Sequence, residues 1–321
     1  MKLNGLTRRA LVYSDLRADL SYSDIAKALG CREHSVRRAL SQVLSDRYFS
    51  RRASFNLFRI GLVEFNIYLT FNSETLASRE KILSSLEKAP GVKWIQELAS
   101  GHHTLIGFLA PSARDVSIFL DSLGDTHGNF VFAKSVSTVA SYHFFGRRYL
   151  DSNARKPKCI DAVDEGVADT LDVIDRRLLR EMTSENFQGV ADLSRRLKMP
   201  ASTVQFRINR LKKEGVLLGY TYNLIRLPQG IHAFRVHIYT RGNSANILAR
   251  LKKMAFSDPS IVYIVKCLAT WDYEVVVETY EQTVILEFGL KLEEALGALL
   301  LKCDVLSVAR IRTGPHYPFP D

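Results

Sequence analysis

Residues 171–220 decide the fold and read LDVIDRRLLREMTSENFQGVADLSRRLKMPASTVQFRINRLKKEGVLLGY. Apolar residues recur at helical spacing in three segments of this stretch, around Leu178, Leu193 and Ile208. Pro200 separates the second segment from the third, because proline lacks a backbone N–H and restricts the residue before it. Gly215 follows the third segment and is the residue type that ends a helix in the left-handed conformation. The pattern predicts three helices and then a strand.

The third predicted helix has two different faces. Val204, Ile208 and Leu211 form an apolar face, and the opposite face is polar. Two short helices, a tight break and a helix of this kind are the helix-turn-helix pattern, in which the last helix reads base edges in the major groove. Taken alone, the stretch leaves open an ordinary three-helix bundle with a solvated polar face.

Composition and charge narrow the class of protein. The 321 residues allow two to four domains of about 100–150 residues each. The formal net charge is +10, and residues 1–53 hold eleven Lys and Arg against five Asp and Glu. A basic helical segment favours phosphate contacts, although a solvated basic face is the alternative.

The four cysteines, Cys31, Cys159, Cys267 and Cys303, are widely spaced. With no C-x-x-C motif and no Cys/His cluster along the sequence, we expect neither a metal site nor a disulfide framework, and no cofactor. The sequence has no apolar run of membrane length and no signal-peptide core, so we expect a soluble, cytoplasmic protein.

The sequence contains an internal repeat. Residues 23–29 correspond to 191–197, residues 55–60 to 222–227, and residues 92–95 to 261–264, with a separation of 167–169 residues. A long repeat at nearly constant separation indicates that a whole two-part unit is duplicated.

Each copy is predicted to be a helical head followed by a βαββαβ unit, the order of a ferredoxin-like sandwich. In the first copy the predicted elements are 62–71, 74–88, 92–98, 104–109, 113–123 and 130–140, and in the second 231–239, 243–254, 261–268, 273–278, 282–300 and 305–311. The predicted fold class is α+β, with tandem winged helix-turn-helix heads each followed by a ferredoxin-like domain. The predicted boundaries are 1–54 and 170–224 for the heads, 55–150 and 225–321 for the sandwich domains, and 151–169 for a polar linker.

The second head resembles the DNA-binding head of the Lrp/AsnC (feast/famine) transcriptional regulators. The residues that carry the resemblance are 172–179 (DVIDRRLL), 202–204 (STV), 207–211 (RINRL) and 213–216 (KEGV), with Gly219-Tyr220. The βαββαβ unit is similar to the RAM domain of that family, so the resemblance covers nearly the whole chain as two tandem copies. The first head departs from the pattern, since Arg47 replaces the glycine after the recognition helix and its start lacks Asp-x-x-Asp; the second departs at Pro200, where the family has a capping serine.

The resemblance implies a sequence-specific transcriptional regulator that binds double-stranded DNA and responds to an amino acid or related metabolite. It also implies that the two sandwich domains of one chain form an intramolecular pseudo-dimer, which assembles into further homo-oligomers. The effector would lie at the turn between the middle strands, and the candidate residues are Gly101, His102, His103, Thr270, Trp271 and Asp272. Two turns without a ligand are the alternative.

The predicted DNA-binding residues fall into two groups. Base edges would be read by polar side chains, arginines and one exposed aromatic ring on the recognition helices, since these side chains match the donors, acceptors and methyl groups of the bases. These residues are Ser202, Thr203, Gln205, Phe206 and Asn209 in the second head, and His34, Ser35, Arg37, Arg38 and Ser41 in the first. Phosphates would be held by Arg195, Arg196, Arg210, Lys212, Arg51 and Arg52. Phe206 is alternatively the core of a protein interface.

Two other functions remain open. One is an enzyme, since some paired proteins of this architecture resemble siroheme decarboxylases; it would need an anionic tetrapyrrole pocket, for which His102, His103, Arg147 and Arg148 are available. Residues 94–97 (WIQE) do not match the His/Tyr-containing segment expected there, so we expect no enzyme and no catalytic residue. The other is a partner that does not bind DNA and assembles with other family members through its sandwich domains.

Overall fold

The computed structural model describes residues 2–71, 76–99, 104–127, 131–151, 158–168, 171–183, 189–242 and 245–313. Each predicted helical head is present as three helices and a strand. The first head consists of α1 (Gly5–Ser14), α2 (Tyr22–Leu29), α3 (Glu33–Ser45) and β1 (Phe49–Phe55).

The two ferredoxin-like domains follow their heads in the predicted order. The first contains β2 (Val63–Phe71), α4 (Leu76–Leu86), β3 (Val92–Leu98), β4 (Thr104–Ala110), α5 (Ala113–His127) and β5 (Val131–Phe144). A short strand, β6 (Ile160–Val163), precedes the second head, which consists of α6 (Val173–Thr183), α7 (Val190–Leu197), α8 (Ala201–Lys213) and β7 (Leu217–Leu224). The second domain contains β8 (His232–Thr240), α9 (Ala245–Ser257), β9 (Ile261–Leu268), β10 (Tyr273–Thr279), α10 (Val284–Leu296) and β11 (Leu300–Thr313).

The two heads pack against each other as one body. Strand β1 pairs antiparallel with β7, so that each head contributes one strand to a shared two-stranded sheet. Buried residues of both heads, such as Leu40 of α3 and Leu211 of α8, belong to a single hydrophobic cluster. A backbone hydrogen bond of 2.9 Å from Ala18 N to Tyr220 O joins them further. The heads are therefore held in one fixed relation.

The two sandwich domains form one closed sheet. Its strand order is β2-β4-β3-β11-β8-β10-β9-β5, and β5 pairs again with β2. The edge strands of the two domains meet at β3–β11 and at β5–β9. The sheets of one chain therefore join edge to edge into an eight-stranded barrel, which is the intramolecular pseudo-dimer that the sequence predicts.

Alternation along the strands assigns one face to the helices and the other to the barrel interior. In β8, Phe234, Val236 and Ile238 pack in a cluster with residues of α9 and α10. The residues between them, Arg235 and His237, are buried on the opposite face. The sequence suggests that this second face needs a cover, and the cover is the matching face of the other copy.

The predicted linker contains structure. Strand β6 pairs with the end of β5, with His143 opposite Asp161. The Asn56 side-chain amide donates to Val163 O at 3.0 Å, and Ala168 N donates to Arg59 O at 2.8 Å. This part of the connection is thus bound to the barrel and to the end of the first head. No helix in the described part of the chain is long and apolar enough to cross a membrane.

Candidate nucleic-acid interface

Helix α8 presents the predicted reading face to the outside. Val204, Ile208 and Leu211 are buried in the shared core of the heads. On the opposite side Ser202, Gln205, Phe206 and Asn209 are exposed, and Thr203 is partly exposed. The Phe206 side chain is 67% exposed, so it is not part of the core of this chain. Gln205 donates to Asn209 Oδ1 at 2.9 Å, which aligns the two amides along one face.

A buried carboxylate fixes α8 against α6. Asp175 is fully buried and accepts hydrogen bonds from Arg207, at 2.8 Å, and from Arg210. Arg207 also pairs with Asp172 at 2.8 Å, and the hydrogen bond to Asp172 raises the pKa of Arg207. Arg210, predicted to hold a phosphate, is therefore committed to an internal ion pair. Asp172 and Asp175 also cap α6, since Asp175 N donates to Asp172 Oδ1 at 2.7 Å.

The other predicted phosphate contacts of the second head differ in their exposure and in how closely carboxylates pair with them. The Arg195 side chain is 76% exposed, with Asp192 at 3.3 Å. Arg196 is held by Asp192 at 2.9 Å and by Glu181 at 3.3 Å. The Lys212 ammonium lies 3.9 Å from Asp19 of the first head. Among these side chains, Arg195 is the one most available to a phosphate.

The first head exposes a different set of side chains at the equivalent positions. His34, Arg37, Arg38 and Ser41 are exposed and Ser35 is partly exposed. Arg37 pairs with Glu33 on the same helix and lies over the Tyr22 ring, at 5.0 Å from its centroid. Arg52, predicted as a phosphate contact, is instead buried at 8% exposure within β1, because its position in the strand faces the body of the protein. This head lacks the buried carboxylate clamp, since Thr7 of α1 stands where Asp175 stands in α6.

The candidate effector turn of the second copy is well ordered by internal bonds. Asp272 Oδ2 accepts from Thr240 N at 2.7 Å and from Thr240 Oγ1 at 2.8 Å. Trp271 is buried and stacks on His237, with ring centroids 3.9 Å apart, whereas Thr270 is exposed. Gly101, His102 and His103, the candidates of the first copy, lie outside the described residues.

Arg147 and Arg148, considered for an anionic pocket, are both engaged within the protein. Arg147 is buried and bonds to Asp15 at 3.2 Å, to Glu278 at 3.0 Å and to Tyr222 O at 2.7 Å, which ties both heads to the barrel. Arg148 donates to the carbonyl oxygens of Ala255, Phe256 and Asp258, as a cation does at a helix C-terminus.

The barrel interior holds a charged cluster that sequence reasoning missed. Glu274 is fully buried and accepts from Arg235 at 2.7 Å and from Tyr68 at 2.9 Å. Asn66 and Trp271 also donate to it, at 3.2 and 3.3 Å. Although burial opposes ionisation, Arg235 and these donors hold the pKa of Glu274 below its usual value. The signal in the sequence was the alternation of charged residues with apolar ones along β8 and β10.

Comparison with known proteins agrees with the geometry of the second head. Residues 171–217 match the family model described as a winged helix-turn-helix DNA-binding domain. The chain is 40% identical over 70 residues to an uncharacterized HTH-type transcriptional regulator of Pyrococcus abyssi. This match covers 21% of the chain and 47% of the relative, so the chain spans about half the length of that relative.

The whole chain resembles a solved enzyme in fold. The crystal structure of the siroheme decarboxylase NirDL aligns with a TM-score of 0.59 and 13% identity, covering 97% of this chain and 93% of the other. An AsnC family transcriptional regulator from Agrobacterium tumefaciens aligns with 43% of this chain and 90% of its own, with 18% identity and a TM-score of 0.34.

Residues 171–217 therefore form a winged helix-turn-helix head of the kind found in HTH-type transcriptional regulators. The fold of the chain, two copies of a winged helix-turn-helix head and a ferredoxin-like sheet domain, is similar to that of NirDL along nearly its whole length, and the predicted fold class is confirmed. The expectation that the protein is not an enzyme is contradicted, because NirDL, whose solved structure aligns with 97% of this chain, is a siroheme decarboxylase.

Proposed function

We propose that the protein is a sequence-specific DNA-binding transcriptional regulator of the Lrp/AsnC type. The observation that carries this proposal is the outer face of α8, where Gln205, Asn209 and a 67% exposed Phe206 stand on a helix anchored by its buried face. Exposure of a phenyl ring to water is unfavourable in free energy, and a binding partner that covers the ring removes this cost. A thymine methyl is an apolar partner within reach of a helix in the major groove. The amides of Gln205 and Asn209 suit adenine.

The two heads would bind one DNA molecule as an asymmetric pair. They are joined through the β1–β7 sheet and a common core, and their reading faces carry different side chains. Symmetric dimers select palindromes because both halves read the same bases. A fixed pair of unlike heads favours a site with two unlike halves.

DNA binding is tested by fluorescence anisotropy with genomic fragments over a range of salt concentrations. Neutralising about six phosphates gives a log–log slope near −5, at roughly −0.9 for each phosphate. Arg195→Ala should weaken binding to all sequences alike and make the slope shallower by about 1. Arg241→Ala, an exposed arginine of the second sandwich domain, is the matched control. Absence of binding even at low salt would show that the proposal is wrong.

The effector part of the proposal concerns the turn at Thr270, Trp271 and Asp272. Its backbone is fixed by the bonds to Thr240, and the exposed Thr270 leaves one side of the turn accessible. An amino acid or related metabolite at this turn should raise the melting temperature and change DNA affinity. A panel of free amino acids in thermal denaturation checks this, with Thr270→Ala as the variant.

A tetrapyrrole-processing enzyme is the second candidate, favoured by the similarity of fold along 97% of the chain to NirDL. NirDL has also been crystallised with an iron-uroporphyrin III analogue. Titration of the purified protein with iron-uroporphyrin III, followed by visible absorption, separates the two functions. A saturable spectral change at one equivalent supports the enzyme, and an unchanged spectrum together with DNA binding supports the regulator.

A further inference from the structure

Three residues of different chemical types meet where β6 pairs with the end of β5. The imidazole of His143 lies with Nδ1 2.6 Å from Asp161 Oδ1, and the Cys159 thiol donates to the same oxygen at 3.0 Å. The candidate ligand atoms of all three side chains lie within 4.8 Å of one another. His143 is buried, Cys159 is half-buried and Asp161 is exposed, so the cluster is open to solvent on one side.

The donor set suits one metal in particular. Thiolate sulfur, imidazole nitrogen and carboxylate oxygen together are ligands of Zn²⁺, which takes four ligands in a tetrahedron. With metal–ligand distances of about 2.0–2.3 Å, neighbouring ligand atoms lie roughly 3.3–3.6 Å apart. The present separations of 2.6 Å (Nδ1 to Oδ1) and 3.0 Å (Sγ to Oδ1) are those of hydrogen bonds, so these two distances would lengthen by less than about 1 Å to admit the ion.

The second nitrogen of His143 is already oriented. Its Nε2 lies 3.0 Å from Ser141 Oγ. Nδ1 donates its proton to Asp161 at 2.6 Å, so this proton must move to Nε2, where Ser141 Oγ can accept it, before Nδ1 binds a metal. Metal-binding histidines are oriented in this way by a partner on the other ring nitrogen. Ser141 itself is buried, so the ring orientation is fixed by the barrel wall.

We propose that His143 Nδ1, Cys159 Sγ and Asp161 Oδ1 form a Zn²⁺ site, with a water molecule as the fourth ligand. On binding, the Cys159 thiol releases its proton to solvent and a sulfur lone pair forms the bond to zinc. The His143 proton moves from Nδ1 to Nε2, which donates it to Ser141 Oγ, and the Nδ1 lone pair forms the second bond to zinc. The Lys252 ammonium, now 3.0 Å from Asp161, is displaced, because it and the zinc ion repel each other at that oxygen.

The site would fasten the connection between the two copies to the barrel. Cys159 and Asp161 belong to that connection, whereas His143 belongs to β5. Val163, two residues further on, accepts a hydrogen bond from Asn56, directly after the β1 strand of the paired heads. A metal at this point therefore stabilises the segment through which the barrel supports the heads.

The experiment uses the metal-free full-length protein, titrated with Zn²⁺ against a chelator of known affinity. We expect one equivalent to bind, and Co²⁺ in its place should give a sulfur-to-metal charge-transfer absorption band. Cys159→Ser should remove that band and weaken zinc binding by at least about 100-fold, since a thiolate ligand is lost. Cys303→Ser, a half-buried cysteine in β11, is the control and should change neither.

Cys159 lies outside the strands, so Cys159→Ser should leave the fold intact. Circular dichroism checks the fold of each variant. Lys252→Met should bind zinc several-fold more tightly, since it removes the competing charge. Absence of stoichiometric zinc binding by the wild-type protein would overturn the proposal. Equal affinity and an equal cobalt spectrum in Cys159→Ser would overturn it as well.

Discussion

Tyr68 Oη lies 2.8 Å from His237 Nε2, although the two residues are 169 positions apart. They occupy equivalent places in the two copies, because β2 begins at Val63 and β8 at His232. Tyr68 donates its proton to the Glu274 carboxylate, so His237 must donate from Nε2 to the Tyr68 oxygen. In a symmetric dimer of identical chains, a residue at this position would contact the same residue of the partner chain. Here a tyrosine contacts a histidine, and the two side chains are complementary as hydrogen-bond donor and acceptor.

The first prediction concerns this hydroxyl. Tyr68→Phe keeps the ring and removes a buried donor, leaving Glu274 and His237 each one hydrogen bond short. The free energy of unfolding should fall by about 1–3 kcal/mol, the cost of unsatisfied buried polar groups. Urea denaturation measures this change. Tyr239→Phe, at a partly exposed tyrosine of β8, is the control and should change stability by less than about 0.5 kcal/mol.

The second prediction uses the first copy as a template for the second. Asn66 and Leu105 stand where Arg235 and Glu274 stand, so one half of the barrel lacks the ion pair. Glu274→Leu alone leaves a buried guanidinium without its carboxylate and should cost about 3–5 kcal/mol. The double variant Arg235→Asn/Glu274→Leu should be less destabilised than Glu274→Leu alone. A double-mutant cycle by urea denaturation tests this, and additive losses would contradict a direct coupling.

The third prediction concerns backbone strain, which lies at a different position in each head. Arg47 and Lys198 have left-handed φ angles of 56° and 54°, and the equivalent residues are Gly215 and Gly30, with φ of 69° and 63°. A non-glycine residue in this region costs about 1 kcal/mol or more. Arg47→Gly and Lys198→Gly should each raise the free energy of unfolding by up to about 1 kcal/mol. Part of this gain is offset because glycine increases the conformational entropy of the unfolded chain.

The reverse exchanges provide the control for this strain. Nothing lies within 4 Å of the Cβ position that a side chain would add at Gly30 or Gly215, so only the backbone conformation opposes a substitution there. Gly30→Lys and Gly215→Arg should therefore destabilise the protein. A loss of stability in Arg47→Gly would show that the arginine side chain matters more than its φ angle.

The fourth prediction is a pH dependence centred on Asp15. This carboxyl is buried, and burial raises its pKa to about 6, while the adjacent Arg147 opposes the rise. Glu278 contacts the same guanidinium, so a single positive charge faces two carboxylates. Because the folded state holds the Asp15 proton more tightly than the unfolded state, protonated Asp15 stabilises the folded protein. This stabilisation is fully present below about pH 4 and is lost as the pH rises through about 6.

Asp15→Asn removes this titration while keeping an acceptor for Arg147. Between pH 4 and pH 6.5 the stability of the wild-type protein should decline relative to that of Asp15→Asn, by on the order of 1–3 kcal/mol. Urea midpoints at several pH values measure it. Asp46→Asn, at an exposed carboxylate of the same head, should follow the wild-type curve. Parallel curves for Asp15→Asn and the wild type would contradict the prediction.

Periodicity predicted the elements well because it is local. The predicted strands 92–98 and 261–268 coincide with β3 and β9, and the repeat separation of about 168 residues recurs in every pair of elements described. The candidate sites were harder, because they depend on which strand faces which across the copies. Glu274 meets Tyr68 only through barrel closure, and His143 meets Cys159 only because β6 returns along β5. Arg210 looked like a phosphate contact because the sequence does not show that Asp175 lies beneath it.

The last prediction concerns unequal reading by the two heads. Helix α8 is anchored by Arg207 and Arg210 on the buried Asp175, whereas Ala39 and Gln42 occupy the equivalent positions of α3. A recognition helix in a fixed position discriminates bases more strongly, because it cannot shift to form replacement hydrogen bonds with a wrong base. Gln205→Ala/Asn209→Ala should therefore relax sequence preference more than Arg37→Ala/Ser41→Ala, by about 1–3 kcal/mol for each lost base contact.

Selection of bound sequences from a random DNA library, carried out with the wild type and both double variants, measures this difference. The wild-type consensus should have two unlike halves, and each double variant should lose information in one half only. Asn246→Ala/Arg250→Ala changes a similar exposed pair, four residues apart on α9, and should leave the consensus unchanged because that helix covers the barrel. A palindromic wild-type consensus would mean that two chains each contribute the same head. Equal losses in the two double variants would mean that the carboxylate clamp under α8 does not govern base reading.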